Sequence, residues 1–267
     1  TSELGAMSRL MPSRMVSVPS GLLTSFASPS ARNTASLSMR SAIQKNRLFL
    51  CQALLAILAL MLFVPATQAA AGTPTVLVVG DSLSAGYGMS EQESWVALLR
   101  DRLAAEGYGY AVVNASLTGD TTGSGLKRLP RSLALHRPAI VIIELGGNDG
   151  LRGIPIKVMR DNLAEMIELS RAAGAEVILA GMQIPTNYGS SYTQAFTAVY
   201  PELAKQYRVD LVEFFLESVA LDLELIQPDG IHPTAEAQPL LLENVWPVLE
   251  KKLRKKVPDL FSSTVEK

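Results

Sequence analysis

Five residues far apart in this chain have the types needed to transfer an acyl group: Ser82, Gly119, Asn148, Asp229 and His232. Ser82 lies in Gly80-Asp81-Ser82-Leu83-Ser84, directly after a β-branched, apolar run. A glycine there permits a tight turn, and the serine then emerges at the carboxyl end of a strand, where a substrate can reach it. On the pentapeptide alone, a loop serine that merely caps a helix is an equal reading. A serine hydroxyl becomes a useful nucleophile when a neighbouring base takes its proton, and the chain has two histidines to offer. His136 closes a helical stretch just before Arg137-Pro138, where an imidazole simply favours the helix's negative end. His232 instead lies in Pro228-Asp229-Gly230-Ile231-His232-Pro233. Asp229 precedes it by three residues with Gly230 between, so a turn can fold the carboxylate back onto the imidazole and fix its tautomer. The competing reading is an Asp and a His that cap the last helix, whose first position Pro233 suits.

Acyl transfer also needs donors aimed at the developing oxyanion. One candidate is Gly119, in Asn114-Ala115-Ser116-Leu117-Thr118-Gly119-Asp120-Thr121-Thr122, whose backbone N–H can approach a ligand closely. Another is the side-chain amide of Asn148, in Glu144-Leu145-Gly146-Gly147-Asn148-Asp149. Each taken singly is equally a turn-former. Jointly they are less ordinary: Ser, Gly and Asn follow the first, second and third strand candidates, and the Asp-His pair precedes the last helix. All would converge on one rim.

The elements that must position these groups alternate along the chain. Strands are expected at 75–79, 110–114, 139–145, 176–181 and 210–213. The third, with Ile140-Val141-Ile142-Ile143, is apolar on both faces, as a strand between two helix layers should be. Ser90 with Glu93 reads as a capping box, after which Trp95, Leu98, Leu99 and Leu103 recur at helical spacing until Gly107. Further helices are expected at about 123–136, 156–173, 192–208 and 234–252, with Pro130 and Pro247 making two of their ends uncertain. This βαβ succession predicts a three-layer α/β/α sandwich around a five-stranded parallel sheet, with function at the carboxyl ends of its strands. No internal repeat or second-domain boundary is visible, so residues 72–267 are expected to be one domain.

The 267 residues carry 24 Lys plus Arg against 25 Asp plus Glu, which offers no basic surface for nucleic acid. With 48% hydrophobic and 18% charged residues, the chain has enough apolar material for a sizeable core. Part of that material is one segment: basic Arg40, Lys45 and Arg47, an apolar run over 48–64, then small residues to Gly72. The layout predicts a secretory signal peptide over 39–71, cleaved after Ala69 or Ala71, in preference to a membrane anchor. Residues 1–38 are Ser-rich and aperiodic, precede Met39, which reads as the initiator, and read as a non-native or disordered extension. The single cysteine, Cys51, would leave with the leader, so the mature part would hold no disulfide or thiolate metal site.

The four blocks resemble those of the SGNH, or GDSL, hydrolase superfamily, in which Ser, Gly, Asn and His mark the catalytic site. The resemblance covers residues 75–252 in order and approximate spacing, with all four marker residues present. Stretches 80–89, 114–122, 144–153 and 229–233 are most similar to an exported bacterial branch of periplasmic acyl-CoA thioesterases, lysophospholipases and arylesterases. The resemblance implies a flavodoxin-like sheet order of 2-1-3-4-5, which the pattern of residues does not itself supply, and no cofactor or metal. It also implies an oxyanion hole built from the backbone N–H groups of Ser82 and Gly119 with the Asn148 amide. By the same analogy, loops 151–156 and 184–192 shape the acyl site. Asp81, Leu83, Gly147, Leu151, Ile184, Asn187 and Tyr188 are the expected substrate contacts.

The expected protein is therefore an exported serine esterase and thioesterase acting on aryl esters, lysophospholipids or acyl-CoA. It would be monomeric, with no nucleic-acid partner and no stable membrane span after leader cleavage. A carbohydrate O-deacetylase of the same fold is the alternative among hydrolases, and a periplasmic module that binds anions or lipids at glycine-rich strand ends is the alternative outside them. The sequence contains neither Gly-x-Gly-x-x-Gly nor Gly-x-x-x-x-Gly-Lys, so nucleotide binding is unsupported. Nor does it contain the Gly-x-Ser-x-Gly elbow of an α/β-hydrolase.

Overall fold

The computed structural model describes residues 72–256, so the expected extension and leader, residues 1–71, lie outside the described residues. Five strands form one sheet: β1 Thr75–Gly80, β2 Ala111–Asn114, β3 Ile140–Glu144, β4 Glu176–Ala180 and β5 Asp210–Val212. All neighbours are parallel and the order is β2-β1-β3-β4-β5. Every residue of β3 is buried, as are five of the six in β1, which is what strands covered on both faces require. The edge strand β2 is only partly covered, with its end residues exposed.

The helices are α1 Ser82–Ala85, α2 Trp95–Ala105, α3 Thr122–His136, α4 Gly147–Leu151, α5 Ile156–Ala172, α6 Ser190–Tyr207 and α7 Gln238–Lys256. They cover both sides of the sheet: α2 packs on α7, while α3 packs on α5 and α5 on α6. Each long helix contributes an apolar stripe, such as Leu241, Leu242, Val245, Trp246, Leu249 and Leu253 of α7, all buried in one contiguous core.

Two local expectations are corrected. The Ser90–Glu93 capping box closes a single 3-10 turn, Glu91–Glu93; the cap of α2 is Ser94, whose side chain accepts a hydrogen bond from the Ala97 N–H. The last helix does not begin at 234. A 3-10 turn, Ala235–Ala237, comes first, and Pro233 lies instead in an isolated antiparallel bridge with Ile226. Pro130 and Pro247 sit inside continuous helices, because buried Leu129 and Leu133, and Val245 and Leu249, hold the flanking turns against the core.

Strand register determines which loops meet. Gly80 of β1 pairs with Glu144 of β3, and Val78 pairs with Asn114 of β2. The three segments that follow therefore leave side by side from the carboxyl edge, where the strand order reverses about β1 and β3.

Candidate active site

Ser82 is the first residue of α1, and the structure assigns its neighbours tightly. Asp81 caps the turn by accepting from the Leu83 N–H at 3.0 Å, and Gly86, at φ 74°, closes it. Gly80 is required for space rather than for a special backbone angle: a Cβ there would lie 2.5 Å from Glu144 Oε2 and 2.7 Å from Ser84 Oγ. Ser82 itself is 8% exposed.

The Ser82 Oγ is 2.9 Å from His232 Nε2, and His232 Nδ1 is 2.6 Å from Asp229 Oδ2. The second carboxylate oxygen of Asp229 accepts from the N–H groups of Ile231 at 2.9 Å and of His232 at 3.0 Å, across a turn in which Gly230 has φ 74°. Hydrogen bonds from the His232 backbone, the His232 ring and the Ile231 backbone lower the Asp229 pKa to about 2, so this carboxylate stays ionised at any ordinary pH. His136 ends α3, roughly 20 Å along the helix from Thr122 at its start, and takes no part.

Asn148 lies in the first turn of α4. Its cap, Gly146, has φ 120°, and a Cβ there would lie 2.2 Å from the Tyr200 hydroxyl. The Asn148 Nδ2 donates to Asp81 Oδ2 at 3.0 Å and to the Asp120 carbonyl at 2.9 Å, which brings it beside Gly119. Gly119 has φ 81°, the left-handed region that only glycine enters freely. Arg152 Nη2 donates to the Gly119 carbonyl at 2.9 Å and reaches Asn148 Oδ1 at 3.5 Å. The second and third blocks are further locked by Asp149, which accepts from the Thr122 N–H at 2.8 Å and the Thr122 hydroxyl at 2.5 Å.

The expected substrate contacts divide by exposure. Asp81, Leu83 and Ile184 are buried, and the Asp81 carboxyl accepts from the Leu83 N–H and the Asn148 amide. Gly147 and Leu151 are half-buried, whereas Asn187 and Tyr188 are exposed. The Tyr188 hydroxyl donates to the Leu151 carbonyl at 3.2 Å and ties the two expected acyl loops together.

Two contributors escaped the sequence reading. Glu144, fully buried beneath Ser82, accepts from Ser84 Oγ at 2.6 Å and from the Asp81 N–H at 3.4 Å, and Trp95 Nε1 donates to that Ser84 oxygen at 3.2 Å. Its other oxygen, Oε1, is buried without a partner. Burial first, and then the nearby Asp81 charge, push the Glu144 pKa well above the usual carboxylate range. Burial also raises Asp81, to about 6. A lone acid closing an otherwise apolar strand was the available signal for Glu144. Arg128 carried no such signal. From α3 it donates to the carbonyls of Ala115 and Gly80 and pairs with Asp120 Oδ2, stapling the Gly119 loop to the end of β1.

Among the described residues no group of three or more His, Cys, Asp or Glu side chains is arranged to hold a metal ion, and no helix is long and apolar enough to cross a membrane. The geometry links the Ser82 hydroxyl through the His232 imidazole to an ionised carboxylate, an arrangement in which a hydroxyl proton can pass to the ring.

Residues 78–239 match the GDSL-like lipase/acylhydrolase family. The chain is 55% identical over 184 residues to esterase TesA of Pseudomonas aeruginosa, covering 69% of this chain and 91% of that protein. It is 47% identical over 197 residues to an arylesterase of Vibrio mimicus (74% and 98% covered). It is 46% identical over 177 residues to thioesterase 1/protease 1/lysophospholipase L1 of Escherichia coli (66% and 84% covered). Among solved structures, TesA matches with a TM-score of 0.65 at 56% identity, covering 67% of this chain and 99% of that one. The psychrotrophic esterase EstA of a Pseudoalteromonas species, inhibited by monoethylphosphonate, matches with a TM-score of 0.65 at 40% identity, covering 67% and 98%.

Proposed function

The chain belongs to the GDSL-like lipase/acylhydrolase family, and on that premise we propose that it hydrolyses carboxylic esters and thioesters through an acyl-enzyme formed on Ser82. The observation that carries this reading is the continuous chain of Ser82 Oγ, His232 and Asp229, at 2.9 and 2.6 Å.

In the first half-reaction His232 Nε2 takes the Ser82 proton as Oγ attacks the acyl carbonyl carbon. The oxyanion is met by the N–H groups of Ser82 and Gly119 and by Asn148 Nδ2, which gives up or shares one of its two present bonds. Collapse expels the leaving oxygen or sulfur, which receives the proton from His232. Water then attacks the acyl-enzyme as His232 takes its proton; the acid departs and Ser82 is reprotonated. Ionised Asp229 holds the ring and stabilises the imidazolium in both halves.

The relatives' names, esterase, arylesterase and thioesterase/lysophospholipase, support aryl esters, acyl thioesters and lysophospholipids as substrates here. Two half-exposed side chains within the site blocks, Leu117 and Ile231, support an apolar acyl group over an acetylated sugar. The basic, apolar and small-residue succession over 40–72 supports export to the periplasm, which fractionation of the expressed protein checks.

The test is Ser82→Ala, assayed with medium-chain aryl esters and acyl thioesters and with a fluorophosphonate probe. Covalent labelling should vanish, and hydrolysis should fall at least about 10³-fold. Retention of more than about a tenth of either would remove Ser82 as the nucleophile.

A further inference from the structure

We infer that Gln227 is the positioning residue that registers the imidazole of His232 on the hydroxyl of Ser82, with the ring of Tyr87 completing the clamp. The inference rests on the triad proposed above and extends it to two residues that are not among the Ser, Gly, Asn and His markers.

Ser82 and His232 are 150 positions apart and must meet within hydrogen-bonding distance, yet His232 belongs to neither a helix nor a strand. The turn that carries it is anchored at one end by the isolated Ile226–Pro233 bridge. Inside that turn Gln227 uses its polar groups on both sides of the site. Its backbone N–H donates to the His232 carbonyl at 2.7 Å, and its own carbonyl accepts from the Gly230 N–H at 2.9 Å. Its Nε2 donates to the Pro233 carbonyl and to the Tyr87 carbonyl, both at 2.9 Å. The Tyr87 N–H in turn donates to the Ser82 carbonyl at 3.2 Å. A closed ring results, running from Ser82 through Tyr87 and Gln227 to His232 and back across the 2.9 Å Oγ–Nε2 contact.

Two further observations point the same way. The Tyr87 ring lies 4.2 Å from the His232 ring, centroid to centroid, tilted by 34°, and covers one imidazole face. Tyr87 is 45% exposed, so core burial does not account for its place. Gly88 has φ 79°, and a Cβ there would lie 2.3 Å from Gln227 Oε1. The segment after Ser82 thus leaves room for the Gln227 amide to reach the Tyr87 carbonyl. A glutamine suits the role because its NH₂ group donates twice, whereas a carboxylate of the same shape only accepts.

A residue that sets the position of the base affects the chemical step more than substrate binding, and a displacement of about 1 Å can cost about 10²-fold. Gln227→Met and Gln227→Glu are therefore expected to lower kcat by about 10- to 100-fold with KM within about threefold of wild type. The rate of inactivation by a fluorophosphonate should fall in parallel, with circular dichroism showing a folded protein at the assay temperature. A kcat within about twofold of wild type for Gln227→Met, or a raised KM with unchanged kcat, overturns the inference. Should either Gln227 variant fail to fold, Tyr87→Ala carries the test: its ring is half exposed and its backbone bonds remain. It is expected to lose at least about threefold in kcat at unchanged KM, with Tyr87→Phe restoring the rate; an unchanged kcat in Tyr87→Ala overturns the clamp. Ser82→Ala, run beside these variants, separates the two readings: full labelling there removes the triad, whereas its loss together with a normal Gln227→Met removes only the clamp.

Discussion

Asp81 Oδ2 accepts a hydrogen bond of 3.0 Å from Asn148 Nδ2, so the residue before the proposed nucleophile holds the amide proposed to receive the oxyanion. The bond spans 67 positions and joins the ends of adjacent strands β1 and β3. It also couples two demands on one side chain, because Asn148 serves a buried acid at rest and a developing charge during turnover.

Asn148→Ala should therefore be costly twice. Loss of one oxyanion donor lowers kcat by about 10²- to 10³-fold. Loss of the donor to buried Asp81 lowers stability by about 1–2 kcal/mol. Steady-state kinetics and denaturant unfolding measure the two effects separately, and an unchanged kcat would remove Asn148 from the oxyanion site.

Asp229→Asn should lower kcat by at least about tenfold, because an amide neither balances the imidazolium nor enforces the same tautomer. With its pKa lowered to about 2, Asp229 adds stability above its unfolded pKa that is lost as pH falls through about 2. Its own protonation therefore sets no limb of the rate profile in the working range. An Asp229→Asn variant with kcat within about twofold of wild type would remove Asp229 from the triad.

The buried pair beneath Ser82 predicts the opposite pH dependence for stability. Glu144 and Asp81 both have raised pKa values, so folding favours their protonated forms and takes up protons above the ordinary carboxylate pKa. Stability should then fall as pH rises from about 4 through about 6 for Asp81, and further for Glu144. Glu144→Gln, which keeps the shape without an ionisable group, should flatten the decline above the ordinary carboxylate range by thermal unfolding. Parallel wild-type and variant curves would show that Glu144 does not titrate there.

Arg128→Met tests the staple on the Gly119 loop. Removing a guanidinium that serves two carbonyls and the Asp120 carboxylate should cost about 2 kcal/mol and lower Tm by about 4–8 °C. Because the Asp120 carbonyl also receives the Asn148 amide, kcat should fall more than KM rises. A variant with wild-type kcat and a lowered Tm would make Arg128 purely structural.

Much of this protein is legible in its residues. The apolar run 140–143 marks a strand buried on both faces, and all five expected strands occur within a residue or two of their predicted ends, because hydrophobic period and glycine punctuation act locally. The Asp229–His232 pair is local in the same sense: a three-residue separation across Gly230 is enough to close the turn. Helix starts are less legible. Ser90 and Ser94 are both good caps, and only packing of Trp95 into the core selects the second as the start of α2.

What tertiary structure decided are relations across long separations. No spacing rule links Glu144 to Ser84, Arg128 to the Gly80 carbonyl, or Gln227 to the Tyr87 carbonyl; each pair meets because parallel register brings strand ends together and the loops above them share one rim. Burial of Asp81, Leu83 and Ile184 is likewise a product of the assembled fold. Residue types set which chemistry was available, since a hydroxyl, an imidazole and a carboxylate are local properties. Whether they act together depends on distances and desolvation, which arise only when the whole sheet is assembled.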